Sequence, residues 1–514
     1  MRTRAWVLAA ALALAQLPGV AAAQQGKPGA SAKAAPGATS RVGEQTRGGV
    51  TELTLSDALA RALEQSPDVR TAEAQVQYAE AQSKAAWSNA LPQFNTQLAY
   101  SRALRSVFQN VGFTLPDSMK FDPNSSLPLD QRVKYLEDKT GYAALGALGS
   151  LFSNMPFGRA NTWIAGLTIT QPIFTGGRIH SGISIAGSAA DAARFGLDET
   201  RSEMALQVKV GYYDAQLADR SVAIMQQSVE LAREHLRQVN LRYDAGRASE
   251  LDTLKAAVDL ANLEPQLLAV RNGRELAFLN LKRLLKLPAD AQLALTTELK
   301  PRTRAGQPVV AVQLPSVADA QGELDGRGAM QAASRAVDIG HSQVSMARAA
   351  FLPTVAFSGN FNRQAYPSSI SFPKGDEWRD DWSVALAVQF PLFQGLKRTA
   401  DLDAAHAQLR QAQVQHDNLR DAVRIQYQQA WGEFERGKAQ VDAAARTAAA
   451  AQKVYDLTEL RYSEGLATQL DVSSARLALQ QARINEAQAY HDAYAALARA
   501  ERALGMPVER TTLP

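Results

Sequence analysis

Trp163-Ile-Ala-Gly-Leu-Thr-Ile-Thr-Gln-Pro-Ile-Phe-Thr-Gly176 returns 219 positions later as Trp382-Ser-Val-Ala-Leu-Ala-Val-Gln-Phe-Pro-Leu-Phe-Gln-Gly395. Both stretches alternate. In the first, Trp163, Ala165, Leu167 and Ile169 share one face, and Ile164, Gly166, Thr168 and Thr170 share the other. In the second, Trp382, Val384, Leu386, Val388 and Phe390 oppose Ser383, Ala385, Ala387 and Gln389. A period of two with one apolar and one small, polar face marks a strand. Partner segments after Leu91-Pro92 and Leu352-Pro353 alternate likewise. Phe94, Leu98 and Tyr100 oppose Asn95, Gln97 and Ser101, while Val355, Phe357 and Phe361 oppose Thr354, Ser358, Asn360 and Asn362.

The offset persists downstream. Arg242-Tyr243-Asp-Ala-Gly246 meets Arg461-Tyr462-Ser-Glu-Gly465, and Pro288 meets Pro507. The chain is therefore a duplication. Each copy reads as helix, strand, surface loop, strand, very long helix, turn and shorter helix. A first helix is expected from an N-cap at Ser56 to about residue 90. Between Gly395 and Gly465 only Gly432 and Gly437 interrupt a helical pattern, which at ~1.5 Å per residue predicts a rod of ~100 Å. In the shorter helix after it, Ala475, Ala482, Ala489, Ala496 and Ala503 repeat every seven residues, and Leu470, Leu477 and Ile484 form a second series. A heptad repeat implies left-handed supercoiling, and two seams imply neighbours on two sides, in a tube wall or an ordinary bundle.

The N-terminal pattern leads one to expect an exported chain. Arg2 and Arg4 precede an apolar run over residues 5–17, and Ala21 and Ala23 are placed for cleavage before Gln24. That pattern predicts a signal peptide over 1–23. No cysteine exists to form a disulfide or carry a lipid. Net charge is +4, or +2 without Arg2 and Arg4, which gives no one-sided basic surface for nucleic acid. No later run is apolar and long enough for a transmembrane helix. Half-apolar strands in an exported chain fit an outer-membrane barrel with a wet lumen. Four strands cannot close one, and an open edge cannot face lipid. Several identical chains must then share a barrel; two would give eight strands and three twelve.

Enzyme chemistry finds no support. The six histidines form no His-Glu-x-x-His pair, and neither a zinc site nor a Walker loop is present. Gly176-Gly177 reads as a tight bend between strand and helix. No catalytic residue, cofactor or metal site is expected.

The duplicated order of Leu-Pro before a strand, Gln-Pro-Ile-Phe or Phe-Pro-Leu-Phe at its end, and Arg-Tyr-x-x-Gly before a Leu-Asp helix start resembles the TolC family of outer-membrane efflux and secretion channels. The resemblance runs from Leu53 to Pro507. It implies a mainly α fold with a small β part. Each chain of a homotrimer would contribute four strands to a shared 12-stranded β-barrel, above coiled-coil helices forming an α-barrel, with shorter helices stacked end to end. It implies outer-membrane lipid around the barrel, and a periplasmic adaptor and an inner-membrane pump as partners. Arg242, Tyr243, Gly246, Arg461, Tyr462 and Gly465 match hairpin tips that meet the adaptor. Asp471 matches the first of two gate aspartates and Asp252 its first-copy counterpart. Ser474 replaces the second, and Ala467 replaces an arginine that helps close the prototype. Tyr462 or Lys255 would then hold the gate shut. A ring of Asp471 carboxylates would favour cations; capping a helix start is the other reading of both aspartates.

The expected organisation is a signal peptide (1–23), a disordered leader (24–50), a first repeat (51–290) with a long extracellular loop (106–160), a linker (291–315), a second repeat (316–507) and a tail (508–514). A helix is expected in that loop over 129–152. The contrasting reading is a non-conducting periplasmic tether or adaptor, which would not need paired strands with a polar lumen face.

Overall fold

The computed structural model describes residues 46–47, 50–105, 119–154, 159–297 and 312–506. The expected signal peptide and the C-terminal tail lie outside the described residues. Two short strands come first, β1 (Thr46–Arg47) and β2 (Val50–Leu53). They reach back into the stretch read as leader. β2 pairs in parallel with β5 (Gln292–Leu295), in what was read as linker, with Leu53 opposite Leu295.

The first helix departs from expectation. It is two helices, α1 (Leu55–Gln65) and α2 (Pro67–Ser88). Thr54, not Ser56, caps α1, accepting from the Asp57 amide at 3.1 Å. Pro67 pushes the residue before it into extended backbone, so Ser66 leaves the helix and caps α2 instead.

From α2 the chain enters β3 (Gln93–Arg102), then α3 (Leu129–Asn154) and β4 (Asn161–Phe174). The helix expected inside the long connection is α3. The very long α4 (Arg178–Asp244) follows, then α5 (Glu250–Leu284). The second copy repeats the plan with α6 (Gln321–Gly326), α7 (Gly328–Ala349), β6 (Thr354–Ala365), β7 (Trp378–Gln389), α8 (Lys397–Ser463) and α9 (Gln469–Ala503). Both long helices have 67 residues, or ~100 Å at ~1.5 Å per residue. α2 and α5 lie along α4, and α7 and α9 lie along α8.

The four longer strands form one antiparallel sheet in the order β3-β4-β6-β7. Its register puts Leu167 beside Phe361 and Phe361 beside Trp382 on one face. On the other, Asn95, Thr168, Asn360 and Ser383 form a row, in which Thr168 donates to Asn360 Oδ1 at 3.1 Å. The alternation thus becomes one apolar and one polar surface. β3 and β7 are exposed edges, without a further strand among the described residues.

The bends into the long helices need left-handed backbone. Gly176 and Gly177 have φ of 64° and 93°; 219 positions on, Gly395 and Leu396 have 61° and 66°. The second copy therefore holds a leucine where only glycine is relaxed.

All five alanines of the heptad seam are buried, whereas Leu470 and Leu477 are exposed. One seam is thus filled within the chain. Small residues let α8 and α9 approach closely: a Cβ on Gly437 would lie 3.0 Å from the Ala493 Cα. Gly437→Val should destabilise the fold by about 1–3 kcal/mol through overpacking, read as a lower thermal midpoint in detergent. An unchanged midpoint would mean that the two helices separate there at no cost.

Candidate functional site at the hairpin tips

The Arg-Tyr-x-x-Gly motif is a helix stop followed by a helix start. At the end of α4, the Arg247 amide donates to the Arg242 carbonyl at 2.7 Å, and Gly246 takes φ 72°. At the end of α8, Leu466 donates to the Arg461 carbonyl at 2.8 Å, and Gly465 takes φ 77°. A six-to-one bond around a left-handed glycine is the Schellman stop. Three residues beyond each glycine, Ser249 and Thr468 cap the returning helices.

Asp252 and Asp471 complete these caps. The Asp252 amide donates to Ser249 Oγ at 3.1 Å, and its carboxylate accepts from the Ser249 amide at 3.3 Å. Asp471 does the same with Thr468, at 3.3 and 2.8 Å. The Thr468 amide and hydroxyl, aided by the Arg461 charge, hold the Asp471 carboxyl below the usual aspartate range. A carboxylate that receives an amide bond stays ionised. Capping is therefore observed for both aspartates. Ser474 and Lys255 are exposed one turn along.

The structure brings Arg242 and Tyr462 together. Arg242 Nη1 donates to the Tyr462 carbonyl at 2.8 Å, and Nη2 donates to the Ser463 carbonyl at 3.1 Å. Its guanidinium also stacks 4.5 Å from the Tyr462 ring. One arginine of the first hairpin thus caps the last carbonyls of the second. Tyr462 is buried, whereas Tyr243 and Arg461, their counterparts, are exposed.

A buried polar cluster beyond the tip was not anticipated. His235 on α4, Asp259 on α5, and Ser473 and Arg476 on α9 converge there. The Ser473 hydroxyl donates to Asp259 Oδ2, and Arg476 Nη2 lies 3.8 Å from the same oxygen. The His235 ring sits 5.2 Å from that of Tyr462, and neither of its nitrogens has a hydrogen-bond partner among the described residues. The signal lay in comparing the copies. His235 aligns with Val454 and Arg476 with Ala257, so the copies differ where one of them buries charge.

Burial, and then the nearby Arg476, push His235 below the ordinary histidine range. The folded state therefore prefers it neutral. Its contribution is undiminished above the unfolded value, about 6.5, and declines as pH falls below that, because only the unfolded chain binds the proton. His491 runs the other way. Burial opposes its charge, yet Asp214 at 2.7 Å and Asp492 at 2.9 Å raise it, so its contribution fades as pH rises through that raised value. The opposition calls for a local measurement. Intrinsic-rate-corrected amide exchange around residue 235 should accelerate between about pH 7.5 and 5.5, and His235→Val should remove the acceleration. Equal acceleration in the variant would exonerate His235.

The sequence profile of the Outer membrane efflux protein family matches residues 140–285 and 320–506, one block in each copy. The outer membrane efflux protein BepC of Brucella suis is 24% identical over 331 residues, covering 64% of this chain and 69% of BepC. The alkaline protease secretion protein AprF of Pseudomonas aeruginosa is 24% identical over 353 residues, covering 66% and 69%. The crystal structure of the outer membrane protein VceC from Vibrio cholerae superposes with a TM-score of 0.66 at 18% identity, covering 88% of this chain and 96% of VceC. With the profile matching both copies of the duplicated unit, the chain belongs to the outer membrane efflux protein family.

Proposed function

We propose that three copies of this chain form a passive exit duct, spanning the outer membrane as a shared β-barrel and the periplasm as a tube of long helices. The observation that carries this reading is the sheet. It has one apolar face and one polar face, and both its edges are unpaired among the described residues. Trp382, Val384, Leu386 and Val388 are 64–78% exposed. Lipid against that face and neighbouring strands at both edges would satisfy it, since a bilayer admits only closed barrels or helices. No described helix is long and apolar enough to cross a membrane, so the strands are the membrane-crossing part of this reading.

The tips are then the periplasmic mouth. There a periplasmic adaptor would dock on Arg242, Tyr243, Gly246, Arg461, Tyr462 and Gly465, and an inner-membrane pump would deliver cargo. Asp252, Asp471, Ser474 and Tyr462 would line or hold the gate. Residues 1–23 would serve as the export signal, and the connection carrying α3 would face the outside. Efflux and protein secretion both fit a passive conduit, and the names of BepC and AprF represent one each. Purified protein in planar bilayers should give discrete conductance steps. Silence from protein shown to be inserted would remove the duct reading and favour a non-conducting tether.

A further inference from the structure

Within one chain, the Arg242 clamp joins the first hairpin to the second. The duplication supplies a second set of the same parts. Arg461 ends α8 as Arg242 ends α4, and Tyr243 with Asp244 are the counterparts of Tyr462 with Ser463. These parts form no such clamp within the chain among the described residues: Tyr243 is 46% exposed, against 8% for Tyr462, and Arg461 is exposed.

The helices around them show where a partner fits. Near the tips α5 packs on α4, α4 on α9, and α9 on α8, leaving α5 and α8 at the two flanks. The duplication makes α8 the counterpart of α4 and α9 the counterpart of α5. The α4–α9 contact therefore has a missing counterpart, α8 with the α5 of another copy.

Residue size supports that junction. Ala487, Ala495 and Ala498 on α9 are buried, while Leu268, Leu276 and Leu279, 219 positions earlier on α5, are exposed. Both helices pack on their own long helix; α9 packs on a second long helix, α4, as well, whereas α5 makes no comparable contact with α8 among the described residues. On the long helices the sizes reverse. Tyr213 and Ile224 on α4 are buried, and their counterparts on α8 are the exposed Gly432 and Ala443. In the α4–α9 contact Tyr213 stacks on Tyr494, 5.5 Å between ring centroids, among alanines of α9; with the sizes reversed on the other flanks, leucines on α5 would meet glycine and alanine on α8. The two flanks are complementary to each other.

We infer that Arg461 reaches across to a second copy of this chain, stacks on that copy's Tyr243, and donates to the carbonyls that end its α4. This rests on the trimeric reading above. Three clamps within chains and three between them would then alternate around the mouth. The two kinds of junction differ in their filling, because Val454 and Ala257 stand where the intrachain junction buries His235 and Arg476. The clamp between chains thus lies beside apolar packing, with no buried charge at those two positions.

The absence of cysteine makes the test clean. Full-length protein carrying Arg461→Cys with Tyr243→Cys, treated with a short thiol-to-thiol cross-linker, should run as covalent trimers under denaturing conditions. Arg242→Cys with Tyr462→Cys should cross-link inside single chains and keep the monomer mass. The proposal is overturned if the first pair, in protein of trimeric native mass, links only within chains or not at all while the second pair links. A native mass other than three copies would overturn the trimeric duct itself, and that failure is read separately from the cross-link.

Discussion

Channels carrying Arg242→Ala should open far more readily than the parent protein, with the closed-to-open ratio falling by roughly 30-fold for each clamp lost. Two charge-assisted hydrogen bonds, at 2.8 and 3.1 Å, and a guanidinium stacked 4.5 Å from the Tyr462 ring meet in that one side chain. Each such bond contributes about 1.5–3 kcal/mol where it is sheltered, and the stack adds about 0.5–1. Arg242 is half-buried and Ser463 is exposed, so solvent screening reduces the total to ~2 kcal/mol, or about 30-fold. Parting the two hairpins breaks all three contacts at once. Arg242→Lys should fall between, because an ammonium keeps the charge but loses the planar fork. Single-channel recording at fixed voltage reads the open fraction directly. Arg247→Ala, beyond the stop glycine, controls for a lost tip charge. An open fraction in Arg242→Ala no greater than in that control would show that the hairpins part without releasing Arg242.

The sheet, the long helices and the tip turns were legible because each is written twice at one offset. A period of two beside Pro172 and Pro391, or a glycine four residues after the same arginine, carries its meaning in local backbone physics. The break at Ser66-Pro67 was equally local. It was passed over because apolar residues continue on both sides of it. Other features depend on residues far apart in the chain. The parallel pairing of Val50–Leu53 with Gln292–Leu295 joins two four-residue strands too short to show a period. The Tyr212 hydroxyl then bonds the Leu53 carbonyl at 2.9 Å, a contact set by where α4 passes. The cluster of His235, Asp259 and Arg476 draws on three helices, and each residue alone reads as a solvated helix position. Only the mismatch with Val454 and Ala257 marks a place where a copy has departed from the repeat to bury charge.

Arg327→Met should cost about 3 kcal/mol of stability. Arg327 stands just before α7, with its side chain only 6% exposed. Its Nη2 and Nε reach the two oxygens of Glu199 on α4 at 2.5 and 3.1 Å, and Nη1 donates to Gln426 on α8 at 3.1 Å. Its backbone is pinned too, since a Cβ on Gly505, beyond the end of α9, would lie 3.0 Å from the Arg327 Cα. One residue therefore ties the start of the second copy to α4 and α8 and packs against the end of α9. Burial pushes the Glu199 carboxyl upward, but Arg327, assisted by Arg502, outweighs it and holds the carboxyl below the glutamate range. Removing one partner of such a pair costs about 3–5 kcal/mol, because the remaining charge stays buried. The low end applies, as Arg502 remains 3.3 Å from Glu199. Because the folded carboxyl is depressed, the contribution of Glu199 is present above the unfolded glutamate value and lost as pH falls through the folded one. Arg327→Met should flatten that acid limb as well as lower the whole curve. Adding Glu199→Gln should restore part of the loss, since the double variant buries no unpaired carboxylate. Chemical denaturation of the two single variants and the double variant gives the coupling directly. Additive losses with no recovery would mean that the two side chains act independently, and that the tie between the copies lies in the packing around Gly505 instead.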